Sequence, residues 1–252
     1  MRMGTLHIRA ITFDLDDTLW PIEPVMLRAE RQLDAWLRTH CPRTADAYPV
    51  DAMRALRSRV ADENPHLSHD FSAQRRLSLR AALLPHGYHD DHVDGAFAAF
   101  YAERNRVECY ADALPALERL GARYPLAAIT NGNADLAAIG LAGHFRFVLH
   151  ASAFGMSKPA ADIFHAACEK LGLAPEEVLH VGDDPELDVI GATRAGLRSA
   201  WLHRGSLSWH DASAQSEIYP DLIVRDLAEL VAALSQTERS LGIQGNAEQV
   251  FF

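Results

Sequence analysis

Apolar positions in this chain follow two different periods. Short runs that favour extended backbone stand at 8–13, 126–130, 145–150, 178–182, 199–202 and 222–224, each the length of a buried strand rather than of a helix. Helical segments separate most of the later runs, beginning with one for which Asp112 is placed as N-cap and Gly121 as terminator. Between the first run and the second the period is helical throughout. Met26, Ala29, Leu33, Trp36 and Leu37 share one face, as do Met53, Leu56 and Val60, then Val93, Phe97 and Phe100, with a further helical segment from about Asp70 to Leu84. The stretch Trp20-Pro21-Ile22-Glu23-Pro24 reads as a hinge, because it breaks regular structure twice.

This pattern predicts an α/β fold: a doubly wound parallel sheet, Rossmann-like, interrupted after its first strand by an all-helical insert of about four helices. The expected division is a core of 1–20 and 109–236, a helical cap of 21–108, and a tail of 237–252 left unassigned. At 252 residues the chain has material for one large or two modest domains, and composition is that of an ordinary globular protein. A net charge of -10, with no long basic run, argues against nucleic acid as a partner. It does not exclude a small anionic substrate, since a bound cation can reverse the local field. No apolar run approaches the ~20 residues of a membrane span, and residues 1–13 lack the apolar core of a signal peptide, so a cytoplasmic protein without membrane attachment is expected. A monomer or weak homodimer is the expected state. Cys41, Cys109 and Cys168 are odd in number and far apart, and read as reduced structural residues.

Chemistry concentrates where strands should end. The first run stops at Asp14-Leu15-Asp16-Asp17-Thr18, and ligands of open parallel sheets bind outside the carboxyl ends of strands, so three carboxylates there point to a metal-dependent site rather than to an acidic turn. The second run ends in Thr130-Asn131-Gly132-Asn133, where a hydroxyl and a closely approaching backbone could hold anionic oxygens; an ordinary Asn-Gly turn would look the same. Ser157-Lys158-Pro159 precedes a helical segment through Phe164, Ala167 and Leu171. The chain has only two lysines, Lys158 and Lys170, so one of them at this place is informative. The run at 178–182 ends in Asp183-Asp184-Pro185-Glu186-Leu187-Asp188. Asp184 fits an N-cap and Pro185 the first helical position, while the helix dipole accounts poorly for Asp183.

These four motifs, in this order and context, resemble those of the haloacid dehalogenase superfamily of phosphohydrolases with a helical cap. The resemblance implies a Mg²⁺-dependent phosphatase acting on a small-molecule phosphate monoester. Asp14 would be the nucleophile and Asp16 the general acid and base. Lys158, Thr130, Asn131 and Gly132 would bind the phosphoryl group. Asp14, the backbone carbonyl of Asp16, Asp183 and Asp188 would surround the metal, with Asp188 or Asp184 ordering its waters. Without a cation such a site would defeat itself: each pair of like charges 4 Å apart costs about 4 kcal/mol at an effective dielectric of 20.

The dehalogenases of the superfamily generally lack an acid two residues beyond the nucleophile, so Asp16 favours phosphoryl chemistry. A phosphatase or phosphomutase acting on a sugar phosphate or phosphoglycolate-like substrate is the alternative. An inactive ligand-binding protein would be expected to have lost a motif residue, and none is missing. Stretches such as Leu27-Arg28-Ala29-Glu30, together with 128–134 and 179–184, resemble a bacterial branch that includes flavin-pathway phosphatases. That branch implies FMN or 5-amino-6-(5-phospho-D-ribitylamino)uracil as substrate, with Trp20, Tyr88 and Phe71 as candidates to face its ring. His86, His89 and His92 suggest zinc only weakly, because no carboxylate or thiolate pattern accompanies them and Gly87 sits inside the run. Arg54, Arg57, Arg59, Arg75, Arg76 and Arg80 read as a solvated helix face.

Overall fold

A computed structural model describes residues 7–213 and 216–240, with backbone alone for 237–240. Six parallel strands, β1 Ala10–Phe13, β2 Leu126–Thr130, β3 Val148–His150, β4 Val178–Gly182, β5 Arg198–Leu202 and β6 Leu222–Val224, form one sheet in the order β3-β2-β1-β4-β5-β6. β1, β2 and β4 are buried along their whole length, as expected of strands covered on both faces. Alternate side chains supply the two layers. Ile11, Phe13, Leu126, Ala128, Leu179 and Val181 pack with helices α6 Ala113–Gly121 and α12 Leu227–Ser240; Ala10, Ile129 and Val178 pack on the other side against α9 Ala161–Leu171. The short helices α7 Leu136–Ile139, α8 Ala151–Phe154, α10 Gly191–Arg194 and α11 Trp209–Ala212 complete the wrapping.

Between β1 and α6 lie α1 Ile22–His40, α2 Pro42–Ala47, α3 Val50–Glu63, α4 Phe71–Leu83 and α5 Asp90–Arg104, and no strand. Their predicted faces converge on a separate apolar cluster that holds Ala29, Leu33, Leu37, Met53, Leu56, Val60, Leu79, Val93, Phe97 and Phe100. The insert thus has four long helices and one short one, with a core of its own.

Several local expectations need correction. The stretch at 20–24 does not interrupt structure: Pro21 is the N-cap of α1 and Pro24 lies in its first turn, where a missing N–H costs nothing. Asp112 does stand before α6, but its carboxylate takes Arg204 and the Leu227 N–H instead of capping its own helix. β3 begins three residues later than its apolar run, because Phe145 leaves the ladder to pack its edge against Phe13. The tail is helical as far as Ser240, and 241–252 lies outside the described residues.

Strand order places the site. β2 and β3 lie on one side of β1, and the chain then crosses to build β4, β5 and β6 on the other. The crevice between β1 and β4 is therefore a topological switch point, where open α/β sheets bind ligands at their carboxyl ends. Phe13 is in register with both Ala128 and Val181, so the polar ends of β1, β2 and β4 emerge side by side.

Candidate active site

Asp14 follows β1 and remains in register, its N–H donating to the Val181 carbonyl at 2.9 Å. The chain then reverses tightly. Asp17 takes a left-handed φ of 57°, a conformation that Asp tolerates better than most residues, and its carboxylate accepts the Ile22 N–H that opens α1. This reversal turns Asp16 back over the strand ends.

Lys158 Nζ, buried, donates to Asp14 Oδ1 at 2.6 Å and to Asp188 Oδ1 at 2.5 Å. Its backbone is fixed by a reciprocal clamp in which Lys158 N–H donates to Asn131 Oδ1 and Asn131 Nδ2 donates to the Lys158 carbonyl. The Asn131 amide is thereby committed to placing the lysine, and Asn131 reaches the cavity as part of its wall. Thr130 Oγ1 accepts the Gly132 N–H, which leaves its own proton free to donate. Gly132 is required by space: a Cβ there would lie 2.5 Å from an Asp16 oxygen.

At β4 the acids separate by role. Asp184 caps the following helical turn by accepting from Glu186 and Leu187 N–H. That turn, Pro185–Ile190, is wide, with Val189 N–H reaching the Asp184 carbonyl five residues back. Asp188 swings inward, fully buried, and a side chain on Gly182 would occupy its place. Asp14, Asp183 and Asp188 each offer an oxygen within 4.8 Å of the others. Asp188, not Asp184, completes this trio.

Electrostatics mark the trio as short of positive charge. Burial pushes the Asp14 carboxyl up to about 7 despite Lys158, with Asp188 adding to the rise. Burial and then the neighbouring carboxylates of Asp188, Asp14 and Asp17 push Asp183 up to about 8. Asp188 is also buried, but Lys158 and His180 outweigh that and hold it below the usual carboxylate range. Burial keeps His180 below its ordinary value and hence neutral at pH 7. Its Nε2 lies 3.2 Å from Asp188 and its Nδ1 2.9 Å from the Thr12 hydroxyl, which assigns the proton to Nε2.

Asp16 accepts from the Trp20 indole N–H at 2.8 Å and from Arg104 Nη2 at 2.9 and 2.6 Å. Arg104 Nε also reaches Asn133, while its Nη1 is buried with no partner among the described residues, a donor of the kind a ligand satisfies. These groups floor a cavity of about 490 Å³ roofed by α1, α3, α4 and α5, within the usual range for small-molecule sites.

The structure brings Asp14, Asp16, Thr130, Asn131, Gly132, Lys158, Asp183 and Asp188 together around this cavity. Of the three aromatic candidates Phe71 alone lines it. Trp20 is fully buried beneath Asp16, and Tyr88 lies against Arg43 and His92 in the helical insert. The cap arginines also divide. Arg54, Arg76 and Arg80 make surface pairs with Asp51, Asp94 and Asp90, but Arg57 and Arg75 turn into the cavity wall. His86, His89 and His92 do not assemble: His86 Nδ1 lies 2.9 Å from the Ala82 carbonyl and its ring meets Tyr48, and the His89 and His92 rings are 6.5 Å apart. Arg104 carries no local signal in the sequence, and His180, Glu30 and Asn133, though inside the motif stretches, have no role assigned from sequence. For His180 there was a signal, a polar residue at the centre of a buried strand.

A profile described as haloacid dehalogenase-like hydrolase matches residues 8–196. The chain is 37% identical over 236 residues to the 5-amino-6-(5-phospho-D-ribitylamino)uracil phosphatase YigB of Escherichia coli K12, covering 90% of this chain and 97% of the relative. It is 38% identical over 165 residues to the phosphoserine phosphatase of Thermus thermophilus, 63% of this chain and 64% of that one. Among solved structures, one described as 2-haloacid dehalogenase from Pseudomonas syringae pv. tomato DC3000 superposes with a TM-score of 0.84 at 36% identity, covering 91% of this chain and 99% of the other. No described helix is long and apolar enough to cross a membrane.

Proposed function

The chain belongs to the haloacid dehalogenase-like hydrolase family, and on that premise we propose that it is a Mg²⁺-dependent phosphatase of small-molecule phosphate monoesters, working through a phosphoaspartate on Asp14. The observation that carries this is the trio of buried Asp14, half-buried Asp183 and buried Asp188 at the switch point, with Lys158 as its one bonded ammonium. Three hard oxygen donors, two of them with raised pKa, fit a small divalent cation. When bound, Mg²⁺ offsets carboxylate and phosphoryl charge.

Lys158 engages Asp14 Oδ1, which leaves Oδ2 to form the bond to phosphorus as the ester P–O bond breaks. Lys158 keeps one N–H, and Thr130 its O–H, for phosphoryl oxygens. Protonated Asp16 gives its proton to the departing alkoxide and then takes one from the water that attacks the phosphoaspartate. Trp20 and Arg104 fill three of the roughly four acceptor positions of the Asp16 carboxylate, leaving one for that water.

Protons compete with the cation for Asp14 and Asp183, so Mg²⁺ should bind more tightly as pH rises from 6 to 8 and release roughly one to two protons at pH 7. Calorimetric titration in buffers of different ionisation enthalpy measures this. Binding that is independent of pH across that window would mean that these carboxylates do not hold the metal.

The substrate proposed is FMN or 5-amino-6-(5-phospho-D-ribitylamino)uracil; the name of the 37% identical relative supports the second, and half-exposed Phe71 at the cavity suits the flat ring of either. A steady-state screen comparing these with sugar phosphates, nucleotides and phosphoglycolate tests it. Preference by more than about tenfold in kcat/KM for a sugar phosphate or phosphoglycolate, equivalent to about 1.4 kcal/mol, would refute the flavin assignment. Appreciable turnover of 2-chloropropionate would instead favour the chemistry named for the solved dehalogenase.

A further inference from the structure

Glu30 lies in the middle of α1 with 4% of its surface exposed, a place where a carboxylate must be paired. Two guanidinium groups answer one of its oxygens: Arg75 Nη2 at 2.7 Å and Arg57 Nη1 at 2.8 Å. Arg75 is itself buried and lies over the Phe100 ring at 3.9 Å, so it accounts for the pairing and for the packing of α1, α4 and α5. Arg57 is different. Its side chain is 34% exposed and lines the cavity, and among the described residues its guanidinium makes no hydrogen bond besides the one to Glu30. A guanidinium has five N–H donors in a planar fork, so most of those on Arg57 are unspent.

The network carries one formal negative charge and two positive, opposite in sign to the carboxylate floor. The cavity is therefore polarised, with acids and Lys158 at one end and a surplus guanidinium at the other. Phe71, Met26 and Phe100 lie on its wall. We propose that Arg57, positioned by Glu30 and backed by Arg75, is a specificity-determining residue that donates hydrogen bonds to carbonyl oxygens on a flat ring at the non-phosphoryl end of the substrate. This rests on the phosphatase reading above and extends it, because both proposed substrates carry a pyrimidinedione edge at the end remote from the phosphate. A planar fork suits such paired acceptors better than an ammonium does.

The test compares kcat/KM for FMN with that for ribitol 5-phosphate, which keeps the phosphate and polyol but lacks the ring. Arg57→Gln is expected to lower the FMN to ribitol phosphate ratio at least tenfold, chiefly through KM for FMN. Arg57→Lys should recover only part of it, and Arg80→Ala, on the outer face of the insert, should leave the ratio as it is. A ratio changed less than threefold by Arg57→Gln, or lowered equally by Arg80→Ala, overturns the proposal while the phosphatase reading stands. Riboflavin binding, followed by flavin fluorescence, needs no turnover. If neither ester is hydrolysed the flavin-substrate reading fails, while release of phosphate from any other ester keeps the phosphatase reading; riboflavin affinity then decides for Arg57: at least tenfold weaker binding in Arg57→Gln supports its role, and unchanged binding overturns it.

Discussion

Asp14→Asn is expected to reduce phosphate release by a factor on the order of 10⁴ or more while leaving the fold intact. The amide has no oxygen nucleophilic enough to form a phosphoenzyme, and the remaining carboxylates are poorly placed to replace it. Asp188 is tied to Lys158, His180 and the Asp184 N–H, and Asp16 to Trp20 and Arg104. Folding should not suffer. Asn is isosteric, its carbonyl can still accept from Lys158, and the substitution removes a charge that burial opposes, as the rise of Asp14 to about 7 records. The metal-free variant should therefore melt no lower than the wild type. Residual activity within tenfold of wild type would falsify the assignment of Asp14 as nucleophile.

Lys158→Met should damage both activity and stability. Two buried carboxylates would lose their shared ammonium, and removing one partner of a buried ion pair typically costs about 3–5 kcal/mol. Loss of a preformed charge aimed at the phosphoryl group should lower kcat by roughly 10²–10³-fold or more. The pH dependence follows from the shifts. In the wild type burial opposes the charges of Lys158 and Asp188, yet their mutual attraction wins. It raises the lysine and lowers Asp188, so the pair stays ionised across pH 5–9. The contribution of Asp188 is present above its unfolded pKa and is lost only as pH falls through its lowered folded value. In the variant both carboxyls would titrate higher, a proton could replace the missing ammonium, and the stability deficit should shrink as pH falls from 8 to 5. Mg²⁺ should raise the melting temperature of the variant more than that of the wild type, because it supplies the absent charge. Melting temperatures with and without Mg²⁺ at pH 5 and 8 test both points; a deficit independent of pH and metal would mean that Lys158 is not balancing these acids.

Some of this was written in local sequence. Strand runs were recognisable because parallel strands buried on both faces are continuously apolar, and β2, β4 and β6 have the limits that their runs predict. Helices in the insert were recognisable by a period of 3.6, and their apolar faces are the ones that meet. A polar residue that ends an apolar run is also a local signal, which is why Asp14, Thr130 and Asp183 could be placed at strand ends before any fold was known. Tertiary structure alone decided which polar side chains face one another. Asp184 and Asp188 are both acids near one helical start, and only the wide turn from Pro185 sends one to a cap and the other into the trio. Trp20 has a ring like any other, but the reversal at Asp17 buries it under Asp16. Arg57 and Arg75 have the same local spacing as arginines that pair with surface aspartates, and Arg104 reaches Asp16 across 88 residues of sequence. Local periodicity tells which face of a helix is apolar. The angle at which helices cross, and therefore which charged side chain near that face meets the cavity, is set by packing between segments far apart in the chain.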